Sequence, residues 1–304
     1  MFTTRELQDE IIRLKKEKDI CILAHAYQSH DIWEIADFVG DSFYLAKVAK
    51  DTKCDVIVFC GVSFMGESAK ILNPEKTVIM PDITADCPMA HMATNEKIEK
   101  LRKEYDDLAV VCYVNSTVEL KSYSDICVTS SNALNIVNKL PNKNIFFIPD
   151  KNLGRFVKEN VKDKNIILND GYCPIHDKIS SDEVLEQKKK HPNALILAHP
   201  ECNKEVSDTA DYLGSTLDII EFVKKDKNNE YIILTEEGVL FELKKNCPEK
   251  KFYFDKTTPV CKDMKLNTLE NILKSLENLE NEVKLDKETI DKAYKPLERM
   301  LNIW

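Results

Sequence analysis

Apolar residues along this chain gather in short unbroken runs instead of alternating with polar ones. Residues 20–24 (ICILA), 56–59 (VIVF) and 77–80 (TVIM) are such runs, and helical patterns separate them: HDIWEIADF and DSFYLAKVAK, broken at Gly40, then SFMGESAKIL. A short continuous apolar run between amphipathic segments predicts a strand covered on both faces. Strands that alternate with helices, without hairpin turns between them, predict a parallel α/β unit. The order then recurs. Strands are predicted over 109–113, 145–148 and 166–168, and again over 194–198 and 231–234, with helices over 95–104, 132–139, from 153, 181–190, 217–225 and 239–245. Two amphipathic helices over 266–304 stand outside this order, as does an opening helix over the first nineteen residues.

The recurrence has a measurable period. Three segments, KTVIMPDITADCPMAH, KNIILNDGYCPIH and KFYFDKTTPVCKDM, each run from a β-type stretch into a polar loop with one cysteine; Cys87, Cys173 and Cys261 stand 86 and 88 residues apart. Earlier strand ends keep the same step: ILAHAYQ, VVCYVNS and ILAHPEC place His25, Tyr113 and His199 at intervals of 88 and 86. Seventeen residues after each comes a small hydroxyl residue, Ser42, Ser130 and Thr216. One supersecondary unit of about ninety residues is therefore used three times. The expected domains are 1–91, 92–177 and 178–264, each carrying one of the three cysteines, with 265–304 as C-terminal helices packing on the first repeat. If the three repeats face a common axis, their strand ends meet in a central cleft.

Composition narrows the setting. No apolar run approaches the ~18 residues of a membrane span, and the charged start MFTTRELQDEIIRLKKEKD lacks the apolar core of a signal peptide. A cytoplasmic protein with no membrane partner is expected, and its ten cysteines should be thiols and not a disulfide framework. A net charge of −9, with the lysine runs flanked by acids, argues against a nucleic-acid partner.

In open parallel sheets ligands bind beyond the carboxyl ends of the strands, and every periodic position lies there. Three cysteines at equivalent places point to a metal site. A zinc site completed by His91 or His176 satisfies the pattern, and so does a 4Fe-4S cluster with one iron left without a protein ligand. Residues two apart in an extended segment point the same way, so His25 with Tyr27, Tyr113 with Asn115, and His199 with Glu201 are expected to aim into shared space. A carboxylate, imidazoles and phenols are the groups of general acid–base catalysis. Ser42, Ser130, Ser215 and Thr216 fall where helices begin, where hydroxyls and free N–H groups suit phosphate or carboxylate. A different hydro-lyase with an open iron, an electron carrier and a zinc-stabilised binding module remain as other readings. The acid–base set speaks against the carrier, which has no use for it.

The motifs ILAHAYQ, ADFVGDS, MPD followed by CPMA, YVNST, TSSNA, PDKNLG, GYCPIH, AHPEC, YLGST and VCKDMKLNTLEN, in this order along essentially the whole chain, resemble those of the quinolinate synthase family. The resemblance implies an α/β fold of three pseudo-symmetric three-layer αβα domains with small parallel sheets, around a 4Fe-4S cluster on Cys87, Cys173 and Cys261. It implies condensation of iminoaspartate with dihydroxyacetone phosphate to quinolinate, with loss of phosphate and water, in NAD biosynthesis. An L-aspartate oxidase or dehydrogenase would supply the imine. Joined to the strand-end geometry, it makes Glu201 the main acid–base group, with Tyr27, Tyr113 and His199 as further catalytic residues. His25 and Asn115 would hold carboxylate or carbonyl oxygens, and Ser42, Ser130, Ser215 and Thr216 the anionic groups.

Overall fold

The computed structural model describes residues 2–254 and 259–303, so part of the loop predicted before Cys261 lies outside the described residues. Among the described residues, twelve strands form three four-stranded sheets. The first contains β1 (Ile20–His25), β2 (Phe38–Gly40), β3 (Val56–Cys60) and β4 (Thr77–Ile79); the second β5 (Leu108–Tyr113), β6 (Ile126–Val128), β7 (Asn144–Ile148) and β8 (Asn165–Leu168). The third contains β9 (Leu195–Ala198), β10 (Tyr212–Leu213), β11 (Glu230–Leu234) and β12 (Lys251–Tyr253). Their orders are β2-β1-β3-β4, β6-β5-β7-β8 and β10-β9-β11-β12. The described pairings are parallel, as in the registers Leu23↔Phe38, Ile20↔Val56 and Tyr231↔Leu195. The fold is thus α/β with three small parallel sheets flanked by helices.

The unbroken apolar runs have a simple cause. All six residues of β1 and of β5 are buried, because helices cover both faces of such a sheet and leave no side for a polar residue. In the third sheet, Ile196, Ala198, Ile232 and Leu234 pack with Val184 and Val206 on one face. Leu197, Tyr231 and Ile233 pack with Ile219, Val223, Val239 and Leu243 on the other.

The edge strands β2, β6 and β10 are not anticipated by the sequence pattern; residues 30–38, expected to be helical throughout, form a short helix, His30–Trp33, and then enter β2. Two or three residues are too few to display a period. Two of these edges are fastened by an aspartate just before the strand. Asp37 accepts the Ile22 N–H at 2.8 Å and donates its own N–H to the Ile22 carbonyl, and Asp211 makes the same pair of bonds with Ile196.

The chain divides into two compact units. One comprises Met1–His91, Val114–Val128 and Lys262–Trp304. In it the opening helix Thr4–Glu17, capped by Thr3 and Glu6, shares a core with Leu269–Asn278 and the first sheet through Leu7, Ile11, Leu14, Ile272 and Leu276. The helix Lys287–Asn302 lies on Ser63–Leu72 and Val118–Ser122. Between these helices the chain reverses at Leu279 and Asn281, both at positive φ, and runs antiparallel along β4, with Val283 N–H to the Val78 carbonyl at 2.8 Å. This covers an edge that would otherwise present unpaired backbone groups. The other unit comprises Met92–Tyr113 and Thr129–Cys261. No described helix is long and apolar enough to cross a membrane.

In each sheet the first strand lies inside, with the second strand on one side of it and the third on the other. The connections therefore reverse between first and third strands, and the crevice beyond that point is where open α/β sheets bind ligands.

Candidate functional site

At the switch point of the third sheet, β9 ends and the chain turns through His199 and Glu201, while β11 runs into Thr235 and Glu236; all four are buried. The Glu201 N–H donates to His199 Nδ1 at 3.2 Å. With Nδ1 accepting, the ring proton sits on Nε2, and burial pushes the His199 basicity down to about 3. His199 is a neutral donor. Glu201 Oε2 lies 2.8 Å from His176 Nδ1 and 3.5 Å from His199 Nδ1. Burial opposes the Glu201 charge. Hydrogen bonds from His176 and the Tyr113 hydroxyl outweigh it and hold the carboxyl below its usual range, so it is ionised at neutral pH. Its second oxygen, Oε1, is buried with no hydrogen-bond partner among the described residues.

His176 organises this group. Its ring stacks on His199 with centroids 4.7 Å apart, Nε2 lies 2.9 Å from Thr235 Oγ1, and Nδ1 lies 3.2 Å from Cys173 Sγ as well as facing Glu201. Ligand atoms of Cys173, His176 and Glu201 all fall within 4.8 Å of one another, a grouping able to hold a metal ion.

Two fully buried carboxylates, which the sequence reading missed, fix the cysteine loops of this unit. Asp150, after β7, accepts the Leu153 N–H through Oδ1 at 2.6 Å and the Cys173 N–H through Oδ2 at 3.1 Å. Glu236, after β11, accepts the Cys261 N–H at 3.2 Å and the Gly238 N–H at 2.7 Å. Beside each, the next residue donates its N–H to the carbonyl two places before the cysteine: Lys151 to Gly171 and Glu237 to Pro259. Burial, and then the charge of Glu201, push Asp150 well above the usual carboxylate range. Asp150 and Glu236 are 86 residues apart, so the period that located the cysteines also passes through them. The series is broken by Val62 in the first repeat.

In the other unit the same backbone contact runs from Ser63 N–H to the Ala85 carbonyl. There the acid comes from the cysteine loop itself: Asp86 accepts from Ser63 Oγ at 2.5 Å and lies 2.6 Å from His91 Nε2. His25 and Tyr27 repeat the turn of His199 and Glu201. The Tyr27 N–H donates to His25 Nδ1 at 3.1 Å, and the rings meet edge to face at 4.6 Å. The pairs His25 with Tyr27 and His199 with Glu201 do share space, though a turn and not strand pleating brings each together. Asn115 is half-buried with its buried Oδ1 unpartnered among the described residues.

The hydroxyl residues differ from one another. Ser42 is half-buried in the first turn of Ser42–Asp51, whose cap is Asp41. Ser130 is half-buried ahead of Ala133–Lys139. Ser215 is the buried N-cap of Thr216–Lys225, its hydroxyl shared with Asp218 in a capping box, and Thr216 follows it, also buried.

Of the ten cysteines, six are buried, and three of the four half-buried ones are Cys87, Cys173 and Cys261. Cys202, beside Glu201 but outside the period, is a core thiol that donates to the Leu234 carbonyl and is pushed upward by burial.

Residues 9–302 match the family model described as quinolinate synthetase A protein. The chain is 54% identical to a quinolinate synthase of Fusobacterium nucleatum over 98% of this chain and 99% of that one. It is 51% identical to one of Clostridium perfringens, covering 97% and 98%, and 50% identical to one of Caldicellulosiruptor bescii, covering 98% of each. With the motif order, the triplicated sheet and the strand-end carboxylate and histidines in place, these full-length likenesses show that the chain belongs to the quinolinate synthase family of enzymes.

Proposed function

We propose that the chain condenses iminoaspartate with dihydroxyacetone phosphate to form quinolinate, releasing phosphate and water, and that Cys87, Cys173 and Cys261 hold a 4Fe-4S cluster. The observation that carries this reading is the likeness, over nearly the full length of both chains, to quinolinate synthases. The donor set fits the cluster: the three cysteines are half-buried where most others are in the core, and Asp150 and Glu236 take up the main-chain N–H of two of them. When bound, such a cluster supplies an iron with no protein ligand, a Lewis acid for a substrate oxygen or nitrogen.

The chain's own groups divide the rest of the work. Glu201, ionised and with Oε1 free, takes the proton that must leave carbon before each double bond forms. His176 and Tyr113 keep that carboxylate charged and oriented. His199 and His25, each with Nδ1 occupied by a backbone N–H, present Nε2–H as donors to carboxylate or carbonyl oxygens. Tyr27 and Tyr113 position the triose and assist proton transfer, and Asn115 holds a further polar substrate group. Ser42, Ser130, Ser215 and Thr216 hold the anionic groups at their helix starts. We read the chain as three domains, 1–91, 92–177 and 178–264, followed by the helices of 265–304, in a cytoplasmic protein whose imine comes from an L-aspartate oxidase or dehydrogenase.

Iron and acid-labile sulfide after anaerobic purification test the cofactor. Roughly four of each per chain in the parent, lost in Cys87→Ser, Cys173→Ser and Cys261→Ser alike, is the expected result. Quinolinate formation from both substrates tests the reaction, and Glu201→Gln is expected to abolish it with iron content retained. Full turnover by Glu201→Gln would remove Glu201 from its role.

A further inference from the structure

Cys173, His176 and Glu201 form a group with a chemistry of its own. The first two come from one short loop in a C-x-x-H spacing, and the third comes from the turn after β9. Nδ1 of His176 stands 3.2 Å from Cys173 Sγ and 2.8 Å from Glu201 Oε2. Around a tetrahedral zinc ion with bonds of about 2.0–2.3 Å, ligand atoms lie roughly 3.3–3.6 Å apart. His176 Nδ1 therefore needs to draw back from each of the other two by about half an ångström or less, while the ligand atoms of Cys173 and Glu201, which lie within 4.8 Å of one another, come to that spacing; side-chain torsions supply both. Thr235 faces His176 Nε2 at 2.9 Å. Its hydroxyl accepts from Nε2–H when Nδ1 is the ligand, the kind of outer contact that fixes the tautomer of a metal-bound imidazole. A separate observation points the same way: Glu201 Oε1 is buried and unpartnered among the described residues, leaving that carboxylate with unused donor capacity.

We infer that the cluster-free chain binds a single divalent cation such as zinc through Cys173 Sγ, His176 Nδ1 and Glu201 Oε2, with water in the fourth position. Binding releases the thiol proton to solvent. Thiolate, carboxylate and neutral imidazole carry two negative charges against the two positive charges of the ion. The ion shares Cys173 with the proposed cluster and Glu201 with the proposed chemistry, so the two occupancies exclude one another. A chain that has captured zinc can neither complete a cluster nor use Glu201 as a base.

The test is anaerobic titration of the full-length cluster-free chain with cobalt(II), which reports thiolate ligation by charge-transfer absorption and tetrahedral geometry by its visible bands. One equivalent is expected, with the charge-transfer intensity of one thiolate. Cys173→Ser should remove that absorption, and His176→Ala and Glu201→Gln should each weaken binding by more than about 10-fold. Cys87→Ser and Cys261→Ser should bind as the parent does, and zinc should displace the cobalt and block later iron loading. Charge-transfer intensity of three thiolates in the parent, or equal loss of binding in Cys87→Ser, would place the ion in the three-cysteine site; that overturns this inference and leaves the proposed function standing. Unchanged binding in both His176→Ala and Glu201→Gln also overturns it. Because the parent spectrum alone counts thiolates, the result does not depend on any variant folding well.

Discussion

Replacing Asp150 by Asn tests whether a buried carboxylate fastens the Cys173 loop. The side chain keeps its shape and one oxygen. In the parent both oxygens are used, Oδ1 by the Leu153 N–H and Oδ2 by the Cys173 N–H. An amide can accept only one of these, and its NH₂ then faces the other donor. A buried donor left without an acceptor costs about 1–3 kcal/mol, which lowers the melting midpoint by roughly 3–10 °C. The helix cap is the shorter bond, so the amide oxygen is expected to stay on Leu153 and the Cys173 N–H to lose its acceptor. Two readings then separate loop from cap. Thermal melting of the cluster-free chain should fall within that range, and iron release to a chelator from the loaded chain should quicken. An unchanged release rate with a lowered melting midpoint would mean that Asp150 serves only the helix Lys151–Asn160, and the fastening argument would fail.

Other outcomes follow from the same geometry. His199 stays neutral in the fold down to about 3, whereas the unfolded residue protonates near ~6.5; the fold therefore loses stability as pH drops from about 6.5 toward 3, and melting of His199→Gln should depend less on pH across that window. Glu201 has the same sign from the opposite cause: its folded affinity for the proton is lowered, so its contribution is present above the unfolded carboxyl range and lost as pH falls below it, a dependence that Glu201→Gln should remove. Ser215→Ala breaks a capping box and should cost about 1 kcal/mol in a denaturant melt. Cys202→Ser should leave iron content untouched, since that thiol is buried in the core and only donates to a backbone carbonyl.

What the sequence revealed depended on whether a residue's reason for being there was local. β1 and β5 were legible because burial on both faces writes itself as unbroken apolar residues. The edges β2, β6 and β10 were not, since two or three residues leave no periodic mark, and β2 and β10 are placed by Asp37 and Asp211 bonding to a neighbouring strand. The cysteine loops showed through their period, yet Asp150 and Glu236, on the same period, stayed hidden because Val62 interrupts the series. His176 registered only as a spare zinc ligand, for its link to Glu201 joins the second expected repeat to the third and becomes visible only in three dimensions. The antiparallel segment beside β4 rests on two residues at positive φ, Leu279 and Asn281, neither of them glycine.

The turn found at His25 and again at His199 separates two properties that usually vary together. The ring tautomer is set by an amide N–H, which every residue except proline possesses. What stands two places on is then free to differ: Tyr27 offers a phenol and Glu201 a carboxylate, while the imidazole beside each keeps its Nδ1 on the same amide N–H. Main-chain atoms hold the constant part of the design and side chains the variable part. A scaffold of this kind exchanges a weak acid for a base by a single codon, without re-solving the placement of its histidine.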